Sequence, residues 1–587
     1  MRNMGNLNSD SSTHTNHRYN TEDLSNSRIR QDLSSSRHRA GYMESITDTE
    51  APMIRRAVGR IPHVCVVGAG VAGLRCADIL LQHGVKVTIL EGRDRVGGRL
   101  CQSSALGHTV DLGPNWIHGT DDNPILDLAK QTNTLTMNWD GRQSVFDHLG
   151  KITPEKEAAE DSEIVWDIIG KAMKYSNDNS ASIPTSMSLF NFFEEEVERM
   201  YPTKDGDAKA ARRRQMILES AEMWGAFVGS PVQSQSLKFF WLEECIDGEN
   251  LFVAGTYEKV LQKIAEPALK ADIKFGHKVK KILSWETDQG PRVVIETEGK
   301  GNEVFDEVVM TAPLGWLKKN LTAFEPKLPE RLKKGIKAIG YGHLDKAIAT
   351  NMPKVYITFP TAFWNESSSA PNTSPTSSKD PTIPNVTATT APIHQPPSDS
   401  PVNPAHFPGF THWLRRTDTS SPGDPSTWFQ EAMNLAALPS PTAHPTLLFY
   451  IFGPTSLHIS SLLASTSPDA HKELLTSFFY PYFSKLPNYS ANNPAHQPNK
   501  VLATNWAADE LAGYGSYSNF QIGLERGDED VEVMRKGMPE RGVWLAGEHT
   551  APFVALGTVT GAWWSGEGVG RRIVRAWGLD KKEGGSE

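Results

Sequence analysis

The alternation of apolar and polar residues first becomes informative at Val64. Val64, Cys65, Val66 and Val67 form an apolar run too short for a helix and mostly β-branched, which predicts a strand buried on both faces. From Leu74 to His83 the apolar residues recur at helical spacing, and Gly84 stops the pattern. A second apolar run, Val85 to Leu90, ends at Glu91. Strand, helix and strand in quick succession predict one βαβ unit of a parallel sheet.

Between Asn123 and Leu237 the pattern becomes helical. Ile164, Val165, Ile168, Ile169 and Ala172 share one face, and so do Phe190, Phe193 and Val197. Met223 and Trp224 read as another piece of core, and Glu194, Glu195 and Glu196 as a solvated face. Lys278 to Ile282 alternates as a strand does. Arg292 to Glu296 and Val304 to Met310 read as a hairpin. Val355 to Phe359 and Leu447 to Phe452 predict two further strands, and Leu474 to Phe479 a helix. Two stretches lack any such pattern. Met1 to about Arg60 is polar and reads as a disordered tail. Glu366 to about Pro408, rich in Ser, Pro, Thr and Asn, reads as a low-complexity excursion. Such an insertion costs little, roughly 0.6 kcal/mol per doubling of loop length.

Composition narrows the picture modestly. The 587 residues carry a net charge of −9, which does not favour nucleic acid and permits a cationic ligand. The four cysteines have neither metal-ligand nor disulfide-framework spacing. No apolar run reaches membrane-spanning length, the N-terminus has no signal-peptide core, and the C-terminus is not a peroxisomal signal. The expectation is a cytoplasmic protein, monomeric and without a membrane, nucleic-acid or metal partner.

The first chemistry lies in the turn after the first strand. Gly68, Gly70 and Gly73 have G-x-G-x-x-G spacing. The first allows a tight turn, the second lets the backbone approach a pyrophosphate, and the third lets the helix pack on the strand. Glu91 ends the second strand, where a carboxylate receives the ribose hydroxyl of a dinucleotide.

The chain continues as Glu91, Arg93, Arg95, Gly97, Gly98, Arg99, an E-x-R-x-R-x-G-G-R run that resembles the flavin-dependent amine oxidases. Asp111-Leu-Gly-Pro-Asn-Trp-Ile-His-Gly119 resembles the polyamine and spermine oxidase branch of that family. The resemblance implies FAD, with Arg93, Gly98 and Arg99 near its phosphates. Gly113, Pro114, Asn115 and Trp116 would pass close to the flavin, and Val279 would meet the adenine. Asn505-Trp506 and Gly513 to Ser518 are similar to the family's aromatic wall, with Tyr517 as a ring facing the flavin. Ser516 stands where monoamine oxidases carry the cysteine that bonds the flavin, which implies non-covalent FAD. Thr558 replaces the second ring of the monoamine oxidase pair, which argues for a long flexible amine over a small aryl amine. Glu548 is similar to the family's flavin-contacting acid, and Val559 begins a helix whose N-terminus offsets negative charge on the flavin.

The implied architecture is α/β: an FAD-binding Rossmann-like domain from 61–122, 238–315 and 500–578, plus an α+β substrate-binding domain from 123–237 and 316–499. The implied reaction is FAD-dependent oxidation of a C–N bond of a polyamine, or of its N-acetylated form, with O2 reduced to H2O2. The family lysine beside the flavin has two candidates, Lys346 and Lys354. Lys354 is favoured because it directly precedes an alternating strand, whose register fixes which side chain faces the flavin. His118 would position the substrate nitrogen. Asp121 and Asp122 are the candidates for a distal ammonium. A histone-demethylase-like amine oxidase and a flavoprotein without oxidase activity are the alternatives.

Overall fold

The computed structural model describes residues 60–204, 206–288, 290–342, 353–365, 406–415 and 425–580. Strand β1 (His63–Val67), helix α1 (Val71–Gln82) and strand β2 (Lys86–Leu90) form the βαβ unit. They belong to a five-stranded parallel sheet in the order Val543–Leu545, Glu307–Met310, β1, β2, Asp272–Lys274. Buried on both faces, its central strands use continuous apolar runs in place of alternation. The glycine turn is dictated by space. Gly68 has φ +104°, and a Cβ there would lie 2.6 Å from Thr311 Oγ1. A Cβ on Gly73 would lie 2.0 Å from the Gly68 carbonyl oxygen.

A second sheet reaches the same core from the side. Gly301–Phe305, Gly290–Thr297, Val279–Thr287 and Phe324–Glu325 are its strands. The apolar run expected as the second arm of a hairpin, Val304 to Met310, is therefore two strands in two sheets. Asp306 divides it. This carboxylate accepts from both terminal nitrogens of Arg60 at 2.7 Å and from the His63 amide at 2.8 Å, and pairs with Arg292. The junction is thus pinned by a buried charge with its partners in place.

The third sheet has six strands, ordered Lys500–Ala503, β3 (Lys354–Thr358), Thr446–Tyr450, Gln430–Asn434, Phe410–Trp413, Gln143–Phe146. Val355 and Ile357 turn to an aromatic core under the helices Gly453–Ser465 and His471–Phe483. Tyr356, two residues on from Lys354, turns to the other core, under α2 (Glu155–Asn179) and its neighbouring helices. Strand pairing bears on one of the expected domain boundaries and helix packing on another. Lys500–Ala503 is the edge strand beside β3, so residue 500 belongs to the six-stranded sheet. The helices Leu314–Lys319 and Glu330–Ala338 pack in one core with Met310 and Leu90, so the first domain continues past 315. The N-terminal tail and most of the low-complexity stretch lie outside the described residues. Asn365 and Phe407, on either side of 366–405, are hydrogen-bonded at 3.2 Å. No described helix is long and apolar enough to cross a membrane.

The C-terminal helix α3 (Val559–Ala576) lies directly on α1, and small residues make the contact. A Cβ on Gly566 would lie 2.1 Å from the Ala72 carbonyl oxygen, whereas one on Gly568 of the same helix would meet nothing within 4 Å. The two glycines should therefore respond oppositely to alanine. Gly568→Ala is expected to stabilise by up to about 1 kcal/mol through helix propensity. Gly566→Ala is expected to destabilise by about 1–3 kcal/mol through overpacking. Denaturant midpoints of the two variants check this.

Candidate active site

A cavity of about 2180 Å³ runs from the glycine turn to the core face of the six-stranded sheet. That is about twice the upper end of an ordinary small-molecule site, which leaves room for a large cofactor and a second molecule. One half is a nucleotide cradle. Gly70 lines it, and a Cβ there would meet nothing within 4 Å, so the backbone is bare toward the space a pyrophosphate needs. Gly68 and Gly98 line it too. Gly73 does not; its part is the close approach to Gly68. The buried Glu91 is oriented by the Ala69 and Arg93 amides at 2.7 and 2.8 Å, leaving acceptor capacity for ribose hydroxyls. Arg93 is held against Asp509 at 2.8 Å, and Val279 lines the same end.

The middle of the cavity is a charge cluster. Arg99 donates to the Ser516 carbonyl at 2.5 Å, to Tyr341 Oη at 3.2 Å and to Glu548 at 3.1 Å. Ser518 donates to the same carboxylate from its hydroxyl, at 2.7 Å, and from its amide, at 3.3 Å. Burial alone would raise the Glu548 carboxyl. Arg99 and Ser518 outweigh it and hold the group below its ordinary range. Thr558 caps α3 by accepting from the Gly561 amide at 2.9 Å, and Val559 lines the cavity, so the positive end of the helix faces it. Bare glycine backbone, a ribose-accepting acid, fixed arginines and a helix N-terminus in one cavity fit FAD.

The other half is built from the six-stranded sheet and the loop 111–119. Lys354 is 4% exposed. Its ammonium donates to the Gly113 carbonyl and to Asn115 Oδ1. Asn115 also accepts from Tyr450 Oη at 3.0 Å, and Trp116 Nε1 donates to Tyr450 Oη at 3.2 Å. Burial drives the Lys354 pKa down, against the pull of the nearby Asp111 carboxylate. Pro114 and Trp506 complete this wall, Trp506 donating to the Leu112 carbonyl at 3.2 Å. His118 lines the cavity with Nδ1 3.2 Å from Asn250 Oδ1, and burial lowers its pKa. Tyr517 donates its hydroxyl to the Phe227 carbonyl at 2.9 Å, and a Cβ on Gly557 would lie 3.4 Å from its ring. Lys346 lies outside the described residues.

Sequence reasoning placed some residues wrongly and overlooked others. Asp121 and Asp122 are exposed and do not line the cavity, because positive φ at Asp122 turns the chain outward before the next helix. Trp224 packs against the core as expected and also lines the cavity, in a cluster with Trp166 and Phe227. Glu431 was overlooked. It is 3% exposed, lines the cavity, and lies 3.2 Å from His412 Nε2. Its strand neighbours are Tyr450 on one side and His412 on the other. Its only sequence signal was an acid inside an apolar strand.

The parallel sheet, the glycine turn and the second domain closing a long cavity define a dinucleotide-cofactor oxidoreductase fold. Residues 71–574 match the model of the flavin containing amine oxidoreductase family, and the chain belongs to that family. Among curated relatives it is 30% identical over 316 residues to the probable polyamine oxidase 4 of Arabidopsis thaliana, a match covering 52% of this chain and 59% of that protein. It is 25% identical over 550 residues to lysine-specific histone demethylase 1 homolog 1 of the same plant, covering 89% of this chain and 54% of that one. The chain thus spans little more than half the length of these relatives. Putrescine oxidase bound to putrescine superposes with a TM-score of 0.56 at 16% identity, over 88% of this chain and 99% of that one, and shows the shared fold.

Space around the turn makes a direct prediction. Gly70→Val fills the open cradle without touching the packed glycines, so the protein should purify folded but without flavin absorbance. Gly73→Val should fail to give folded protein. Far-UV circular dichroism and flavin stoichiometry distinguish the two outcomes.

Proposed function

We propose that the chain is a non-covalent FAD-dependent polyamine oxidase. The observation that supports this best is Lys354, a buried ammonium held on the cavity wall by Gly113 and Asn115. Gly68, Gly70, Gly98, Glu91, Arg93, Arg99, Val279, Glu548, Thr558 and Val559 would hold FAD, and Pro114, Trp116, Trp506 and Tyr517 would wall the ring system. Ser516 has no thiol to bond it. Bound flavin would supply the two-electron acceptor for the hydride of the C–H bond next to the amine nitrogen and would return those electrons to O2 as H2O2; the substrate is left as an imine, which water hydrolyses to aldehyde and amine.

The chain's own groups handle protons and orientation. The reacting amine must be neutral to give up a hydride, and it arrives as an ammonium. His118, whose pKa burial lowers and whose ring Asn250 orients, would take that proton. Lys354, its pKa lowered by burial, holds a water through its nitrogen for hydrolysis. Glu431, with Trp116, Phe410 and Tyr450 around it in the cavity wall, receives a second ammonium by charge and by aromatic faces. An amine with several charges and a flexible chain suits this row better than a small aryl amine.

The sign of the pH dependence follows. His118 must be unprotonated to take a proton, and burial lowers its pKa, so activity is expected to fall as pH drops through that lowered value. Lys354→Met should lower peroxide release by about 10²-fold or more, the usual scale for losing a proton-handling group. Peroxide release with spermine, N1-acetylspermine and a methyl-lysine peptide, run together, tests the reading. Turnover of the peptide alone would favour the demethylase alternative, and turnover of none would leave a flavoprotein without oxidase activity.

A further inference from the structure

Two acids of the inner cavity have their donors in place: Glu91 has two amides, and Glu548 has Arg99 and Ser518. Glu431 lies 3.2 Å from His412 Nε2, but its Oε2 makes no hydrogen bond among the described residues. Glu243 is a second such acid, on another wall. It closes the short 3-10 turn Phe240–Glu243 and lines the cavity. Its Oε1 is buried and has no hydrogen-bond partner among the described residues. The surroundings are aromatic. Trp241 packs edge-on against Phe553 at 5.5 Å, Phe240 meets Trp224 at 5.6 Å, and Tyr517 lies within electrostatic reach of the carboxyl. A buried acceptor without a donor is costly, and one aimed into a ligand cavity is best explained by a ligand that supplies the donor.

We propose that Glu243 is a cation-binding carboxyl of this cavity, taking an ammonium group of the bound amine on the Tyr517 side. The proposal rests on the amine-oxidase reading of the site and extends it by a second anchor on a separate wall from Glu431. An ammonium brings both charge and N–H donors, and the ring of Tyr517 gives it an aromatic face. Burial raises the Glu243 carboxyl to about 8, against a hydrogen bond from the Phe520 backbone, so the empty site holds it mostly as the neutral acid at pH 7. Binding of a cation then favours loss of that proton. A neutral acid also lets the empty cavity exist without an unpaired buried charge.

The test uses the flavin-loaded full chain under anaerobic conditions, reading binding from the flavin absorbance change. Spermidine and dibutylamine are compared; both carry a secondary amine, but only spermidine has additional ammonium groups. Glu243→Gln should weaken spermidine by about 10- to 100-fold, the scale of one charge-assisted hydrogen bond, and dibutylamine much less. Glu243→Asp should recover part of the difference. Spermidine binding to the wild type should release a proton, seen by calorimetry in buffers of different ionisation enthalpy, and the Gln variant should release less. Equal weakening of both amines, or no change in either, would overturn the assignment. A wild type that binds spermidine with this Glu243 dependence but oxidises no amine would overturn the oxidase reading and leave the anchor standing.

Discussion

The buried Lys354 side chain, with the Tyr450 hydroxyl beside it, ties the two halves of this molecule together. The Lys354 ammonium belongs to the six-stranded sheet, and its acceptors, Gly113 and Asn115, belong to the loop that leaves the parallel sheet. A lysine with almost no exposure is tolerated only when its hydrogen bonds are made, so the sheet and the loop must meet in one geometry. On the other side of β3 its own sheet fixes the backbone, the Lys354 amide donating to Thr504 Oγ1 at 2.8 Å and the Thr504 amide to the Lys354 carbonyl at 2.9 Å. The result is a rigid wall behind the cavity, and rigidity there is what an orienting site requires.

The charges of the cavity are arranged along its length. At the cradle end they are paired and fixed, as in Arg93 with Asp509 and Arg99 with Glu548. Toward the six-stranded sheet they become a lysine and a histidine biased toward neutrality, between acids that face aromatic rings. Paired charges suit a resident polyanion, which must always find the same contacts. Groups that exchange protons suit a visitor that changes its charge while it reacts.

The βαβ unit was legible because local rules acted alone: apolar runs for buried strands, glycine where a Cβ meets Thr311 or a carbonyl, an acid at the strand end. The glycine and E-x-R-x-R-x-G-G-R motifs pointed to the cofactor half for the same reason, since the residues of each motif lie within a few positions of one another along the chain. The substrate half was legible only where a motif ran through it, as at His118. Glu431 and Glu243 acquire meaning from strand register and from a turn brought against Tyr517, and neither leaves a pattern along the chain. Trp224 packs against the core, as expected, and also lines the cavity, a second role that no pattern along the chain reveals. Residue 500 was assigned to the wrong side because an edge strand joins its sheet through backbone bonds that any side chain permits.

The contact between Asn365 and Phe407 has a consequence of its own. Asn365 Oδ1 also accepts from Asn434 at 3.3 Å, and Asn434 Nδ2 donates to the Phe407 carbonyl at 3.0 Å. The chain therefore departs and rejoins at one clasped point, with an interior strand supplying the clasp. The clasp is made by residues outside 366–405, so a change in the length of that stretch costs it only loop entropy, roughly 0.6 kcal/mol per doubling. An engineer seeking a place to splice in a reporter would begin there.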